Sequence, residues 1–347
     1  MLKKTIAIVL ALIMVLSLCA CGSSGSAEPE EPAAAGLTAP KKDPTKDEIV
    51  ISYIPMSTAM ENTPVIEQGM LDAVAVYDNV TINTYDAQFD PNTQITLINE
   101  AITQGVDGII VQCADAAALN NVIAEAEAAG IVVFTMNIGN TAQSSAFICN
   151  SDYNAGWAAA EYMDNYLGGE GNYIILDCDP AIKETCRMGT GFEDYCEEKG
   201  VFTLLESIAQ PTLVEQAYSA MRDLLTKYDD IDFVYCVNDN QAIGAYQAIK
   251  EAGREDDGIL LFGYEGQPMA LDAIKRGTMF ATSYSDPYYE AFTMTNMMVY
   301  NIMLGINSAS LGLEFTPSLE LSTTIVTAEN IDEIIKGTHW DMSKFGY

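Results

Sequence analysis

The short polar side chains that could do chemistry collect at the ends of apolar runs. Asp86 and Gln88 follow VTINTY (80–85), and Asp115 follows GIIVQC (108–113). Asn137 follows IVVFTM (131–136), and Asn238 closes DFVYCVN (232–238) with Asp239 next. Glu265 follows GILLFGY (258–264), and Ser285 closes FATSYS (280–285) with Asp286 next. Asn, Asp and Gln carry donors and acceptors on short planar groups, which suits a ligand rich in hydroxyls. Plainer roles compete: an Asx turn for Asn137, a helix cap for Asp239 and a turn for Glu265. The loop after the first run, PMSTAMENTP (55–64), adds Met56, Ser57, Glu61 and Asn62 and no aromatic ring.

Bond-breaking chemistry finds few of its usual parts. The one histidine, His339, lies near the C-terminus, so a His-built zinc site or triad lacks its donor. No G-x-G-x-x-G follows an apolar run: LGGEGN (167–172) precedes one, and GTG (189–191) stops short. Neither a G-x-S-x-G elbow nor a Walker lysine motif occurs. We therefore expect no catalytic residue, metal or cofactor. Asp229, Asp230 and Asp232 read as a solvated turn in a chain with 49 acids.

Sixteen Lys and Arg against those acids give a net charge of −33, which excludes phosphate-neutralising contact with nucleic acid. The four arginines (Arg187, Arg222, Arg254, Arg276) are too few for a polyphosphate clamp. At 347 residues and 49% hydrophobic composition, two packed domains are expected. Cysteines 113, 149, 178, 186, 196 and 236 sit mostly in apolar runs and read as small hydrophobes. A pairing of Cys178 with Cys186 or Cys236 stays open.

The N-terminus reads as an address. Lys3 and Lys4 precede an apolar run, Thr5 to Leu18, too short for a comfortable membrane span. Leu18-Cys19-Ala20-Cys21 resembles a bacterial lipobox, which implies cleavage after residue 20 and a diacylglycerol on Cys21. Residues 21–47 then form the lipidated cysteine and a Gly-, Ser-, Pro- and charge-rich tether without a face to bury.

From Glu48 onward, ten β-rich runs alternate with helical segments. Several runs are continuously apolar, as strands of a parallel sheet covered on both faces are. Ile95, Ile98 and Ile102, and Leu119, Val122, Ile123 and Ala126, recur at helical spacing. Gly105, Gly130, Gly200 and Gly253 follow helical segments as left-handed caps would. Ten strands in this rhythm, five in 48–150 and five in 172–285, predict an α/β chain of two doubly wound parallel-sheet lobes. Ligands of such folds bind at the carboxyl ends of the strands.

Four stretches resemble the periplasmic sugar-binding family of ribose- and galactose-binding type. They are GVDGIIVQCADAAALNNVIAEAEAAGIVVFTMN (105–137), NSDYNAGWAAAEYM (150–163), VYCVNDNQAIGAYQAIKEAG (234–253) and GYEGQPMALDAIKRGTMFAT (263–282). The resemblance implies a type I periplasmic-binding-protein-like fold with a three-segment hinge. Lobe 1 would be 48–152 plus 285–320, and lobe 2 would be 153–284 plus 321–347. It assigns ligand contacts to Asn137, Asn238 and Glu265, with Asp239 and Asp286 beside them. Ser57, Asn62, Asp86, Asp115 and Arg187 complete the candidate set. Phe89, Tyr264 and Tyr288 are the candidate stacking rings. Cys186 stands where ribose binders carry an arginine, with Arg187 one residue late, and Ile138 replaces a second arginine. A hexose, another pentose or a furanosyl signal is thus expected before ribose.

The implied function is that of an extracellular, lipid-anchored, monomeric solute-binding protein of a Gram-positive cell. It would deliver a monosaccharide to an ABC transporter permease. The alternatives are a module presenting a sugar signal to a chemoreceptor or sensor kinase, and an α/β enzyme acting on a small polar substrate.

Overall fold

The computed structural model describes residues 41–178 and 186–347. The leader, Cys21 and most of the tether lie outside these residues, as does the loop at 179–185. The last tether residues do not follow the tether reading: 41–47 dock on the body. The Lys41 backbone N–H donates to the Met303 carbonyl at 2.8 Å, Lys41 Nζ to the Gly305 carbonyl at 3.4 Å, and Lys42 pairs with Asp107. A lysine over the carbonyl end of a helix is electrostatically favourable, which gives this basic stretch a seat.

Two six-stranded sheets form the body. The first holds β1 (Ile49–Ile54), β2 (Val80–Thr84), β3 (Gly108–Val111), β4 (Val132–Met136), β5 (Ala146–Asn150) and β11 (Ser318–Leu321), in the order 11-5-4-3-1-2. The second holds β6 (Asn172–Asp177), β7 (Thr203–Ala209), β8 (Phe233–Cys236), β9 (Leu260–Glu265), β10 (Ala281–Tyr284) and β12 (Thr324–Thr327), in the order 12-10-9-8-6-7. All pairings are parallel except β10 with β12. The two late strands, β11 and β12, escape sequence reading because each has four residues at a sheet edge, half of them exposed or nearly so.

Among the described residues, eleven helices cover the sheets. In the first lobe these are α1 (Thr63–Val74), α2 (Pro91–Gln104), α3 (Asn120–Ala128), α9 (Pro287–Leu304) and α10 (Ser308–Leu311). In the second they are α4 (Asp152–Leu167), α5 (Met188–Lys199), α6 (Val214–Lys227), α7 (Asp239–Glu251), α8 (Pro268–Lys275) and α11 (Ile331–Gly337). Local chemistry sets their ends. α2 has Asp90 accepting from the Asn92 N–H, Pro91 at its first position and left-handed Gly105 after its last. α9 repeats the plan with Asp286, Pro287 and Gly305. Each sheet is sandwiched between two apolar clusters. One face of the first sheet, for example, packs Ile51, Phe134 and Ile148 against Met294 and Met298 of α9.

The chain passes between the sheets three times, at 151, 285–286 and 322–323. Two of these passages are tied together: the Ser151 N–H donates to the Leu321 carbonyl at 2.9 Å, and Ser151 Oγ to Glu320 at 2.5 Å.

α4 and α5 approach through glycines. A Cβ on Gly156 would lie 1.9 Å from the Met188 carbonyl oxygen, and one on Gly191 2.1 Å from that of Tyr153. Backbone cannot yield as a side chain does. Gly156→Ala is therefore expected to cost about 1–3 kcal/mol or more, and to lower the thermal midpoint by several degrees. Gly337→Ala, where a Cβ meets nothing within 4 Å, should leave the midpoint in place. Equal midpoints for the two variants would refute the close-packing argument.

Candidate functional site

A cavity of about 490 Å³ opens where the carboxyl ends of both sheets face one another. The first lobe contributes the loop after β1, Gln112 after β3, Asn137 and Ile138 after β4, and Cys149 and Asn150 at the end of β5. The second contributes Asp152, Cys186 and Met188, Val237 and Asn238 after β8, Tyr264 and Glu265 at the end of β9, and Trp340. This is where the right-handed crossovers of open α/β sheets leave room for a ligand.

Four of the ten sequence-derived contacts line it: Asn62, Asn137, Asn238 and Glu265. Asn137 has φ 56° and Glu265 φ 104°, left-handed backbone that costs a side-chain-bearing residue about 1–3 kcal/mol. Asn137 Nδ2 donates to Glu290 Oε1 at 2.9 Å. Asn238 caps α7 by accepting from the Asn240 N–H at 2.7 Å, and its amide also bonds Glu265. Gln267 Nε2 donates to Glu265 as well.

Six of the ten do not line the cavity, because local donors consume their acceptors or packing takes them inward. Ser57 Oγ accepts from the Ala59 N–H at 3.2 Å. Asp86 accepts from the N–H groups of Thr58 and Gln88, both at 3.0 Å, fastening the 55–64 loop to the end of β2. Those bonds hold its carboxyl below the usual carboxylate range. Asp115 accepts from the N–H groups of Ala117 and Ala118, and Asp286 from those of Tyr288 and Tyr289. Arg187 lies over the Tyr153 ring at 4.9 Å. Asp239 is not the α7 cap; it is fully buried, bound by Thr282 Oγ1 at 2.7 Å and the Gln267 N–H at 2.8 Å. It positions Gln267, and through it Glu265. Among the candidate rings only Tyr264 lines the cavity, while Phe89 is exposed.

Sequence reasoning missed Gln112, Asn150, Asp152, Glu290 and Trp340, all of which line the cavity. Asp152 and Glu290 sit in the first turns of helices that begin where the chain crosses between sheets. A carboxylate one or four residues past a crossing is the signal that could have found them. Trp340 carried none. Burial pushes Asp152 up to about 7, aided by the charges of Glu265 and Glu320 and opposed by the Tyr264 hydroxyl at 3.0 Å. Burial first, then the Asp152 charge, pushes Glu290 up to about 8 against an Asn150 bond of 3.4 Å. Burial likewise raises Glu265.

The site can grip but is poorly equipped to attack. Burial drives the Cys149 thiol up to about 12, and a bond to Cys178 followed by burial raises the Cys186 thiol as well. The nucleophilic thiolate is thus withheld. His339 stacks on Tyr288 outside the cavity. Among the described residues no group of three or more His, Cys, Asp or Glu could hold a metal ion.

The profile of the family described as periplasmic binding protein domain matches residues 51–305. A ribose import binding protein of Bacillus subtilis is 27% identical over 290 residues, 82% of this chain and 88% of that protein. A xylitol-binding protein of Mycolicibacterium smegmatis is 29% identical over 219 residues, 62% of each chain. Among solved structures, a periplasmic ribose ABC transporter protein of Conexibacter woesei superposes with a TM-score of 0.75 at 21% identity, covering 86% of this chain and 98% of that one. A solute binding protein of Bacillus halodurans with bound myo-inositol gives 0.70 at 24%, covering 83% and 98%.

Proposed function

The chain belongs to the periplasmic binding protein family, and from that premise we propose that it captures a small sugar or related polyol between its lobes and delivers it to an ABC transporter permease. It is a binding protein, not an enzyme. The observation that carries the reading is the cavity itself, walled by Asn137 from one sheet and by Asn238 and Glu265 from the other. A ligand touching both lobes favours the closed arrangement, and one touching a single lobe has no differential affinity to shift it. The named relatives bind ribose and xylitol, and a similar fold holds myo-inositol, which supports a polyhydroxylated ligand. The missing arginines at 138 and 186 argue for a ligand other than ribose. Capture by a monomer at the outer face of the cell membrane, held by a lipid on Cys21, completes the proposal.

Thermal-shift screening against monosaccharides, polyols and nucleosides tests the ligand class. A ligand at 100 times its dissociation constant should add about 2.7 kcal/mol of stability. Asn238→Ala should then weaken that ligand roughly tenfold to a hundredfold, since a buried bond lost without replacement costs about 1–3 kcal/mol. Solution scattering should show a smaller radius of gyration with ligand bound. Tight binding by the variant would remove the cleft assignment, and absent compaction would remove closure. For the anchor, Cys21→Ala should move the protein from the membrane fraction to the medium; unchanged membrane attachment would refute lipidation there.

A further inference from the structure

The polar groups around the cavity do not balance. Glu61, Asp152, Glu265 and Glu290 line it, and among the described residues no lysine, arginine or histidine does. The direct partners of Asp152, Glu265 and Glu290 are neutral. Asp152 has the Tyr264 hydroxyl, Glu265 the Asn238 and Gln267 amides, and Glu290 the Asn137 and Asn150 amides. The acids act on each other instead: Glu61 on Glu265, Glu265 on Asp152, and Asp152 on Glu290, each raising the next.

A second observation is independent of these charges. Gln112 lines the same cavity at 4% exposure, and its Oε1 is buried with no partner. An acceptor left unmet costs its full desolvation. The wall thus offers four carboxylates and a spare amide oxygen, and among the described residues no positive charge. Trp340, which also lines the cavity, has its Nε1 buried with no partner.

A neutral polyol would supply hydroxyl donors but nothing to favour the ionised carboxylates, and buried charges are kept only when paired. An inorganic divalent ion does not fit, because the acids are not gathered as metal ligands. Much of the remaining lining, Met56, Met60, Ile138, Val237 and Pro287, is apolar and suits a carbon skeleton.

We infer that the ligand is an aminated polyol, a hydroxylated ring or chain bearing a protonated amine, with its ammonium facing the acidic part of the wall to which Asp152, Glu265 and Glu290 belong. This rests on the polyol reading above and narrows it. The ammonium supplies three N–H donors and a positive charge, while the hydroxyls meet the amides. Asp152 and Glu290 hold protons near neutral pH in the unliganded site. Seating a cation favours their ionised forms, so binding should expel protons into solution.

The test is isothermal titration calorimetry of the purified protein near pH 7, in phosphate and in Tris, whose ionisation heats differ. The probes are glucosamine and an aminocyclitol, with glucose and myo-inositol as their neutral parents. The expected result is that an amine-bearing probe binds at least about thirtyfold more tightly than its parent, with release of about one proton. Glu290→Gln should reduce that preference to within about threefold, and Glu265→Gln should reduce it too. Circular dichroism and an unfolding curve confirm that each variant is folded. A neutral parent that binds as tightly as its amine, without proton release, overturns the inference and leaves the polyol reading standing. Binding of nucleosides or amino acids with none of the four probes overturns both, as does an amine preference that survives in both folded variants for the seating of the ammonium.

Discussion

Replacing Glu290 by glutamine should stabilise the unliganded protein in alkaline solution and leave it nearly unchanged in acid. The folded protein holds this carboxyl's proton up to about pH 8, whereas the unfolded chain releases it near 4.5. Between those values the native state binds more protons than the unfolded one, so wild-type stability falls as pH rises. Below about 4.5 both states are protonated and the penalty vanishes; above about 8 it is complete. At about 1.4 kcal/mol per unit, the penalty is on the order of 5 kcal/mol. Glutamine keeps the shape, an acceptor for Asn137 or Asn150, and no titrating proton. Urea unfolding of both proteins at pH 5, 7 and 9 reads the effect directly. The curves should nearly coincide at the lowest pH and diverge steadily above it. Parallel behaviour across the range would mean that Glu290 is not buried as described. The same carboxylate that weakens the empty protein is the one the ligand's ammonium would repay.

Glu127→Ala should have the opposite sign and a comparable size. Glu127 lies in α3, 3% exposed. Its Oε1 accepts from Ser145 Oγ at 2.5 Å and the Val133 N–H at 3.2 Å. Its Oε2 accepts from the N–H and the hydroxyl of Ser308, both at 2.9 Å. Asn307 Nδ2 donates to its backbone carbonyl at 2.8 Å. The carboxylate therefore ties the short helix α10 to α3 and to β4 of the first sheet. Alanine strands two backbone donors and two hydroxyls, an expected loss of about 3–5 kcal/mol. Glutamine retains one oxygen and should lose roughly half of that. Hydrogen exchange at Ser308 and Val133 should accelerate in both variants, more in alanine. Because the cavity lies elsewhere, ligand affinity should stay within about twofold of wild type. A large loss of affinity with normal exchange at Ser308 would contradict this account.

The sequence alone determined the rhythm of the molecule. Continuous apolar runs such as GIIVQC and DFVYCVN can only be strands covered on both faces, and the intervening helices announce themselves by spacing and by capping glycines. Even the cavity's inner ring was half legible: Asn62, Asn137, Asn238 and Glu265 are polar residues at strand ends or in the loop after the first strand. The same local rule also nominated Asp86, Asp115 and Asp286, and here it ran out. Whether a strand-end carboxylate faces a ligand or is spent on the next two N–H groups depends on the turn the backbone takes, which composition does not encode. Asp152, Glu290 and Trp340 reached the cavity for a reason farther from the sequence. The chain crosses between sheets at 151 and 285–286, so the helices starting there aim their first turns at the cleft, and the C-terminal segment brings Trp340 to the same place. The acidic character of the site, hidden among 49 acids in the chain, was decided by which few of them the tertiary fold removed from water together.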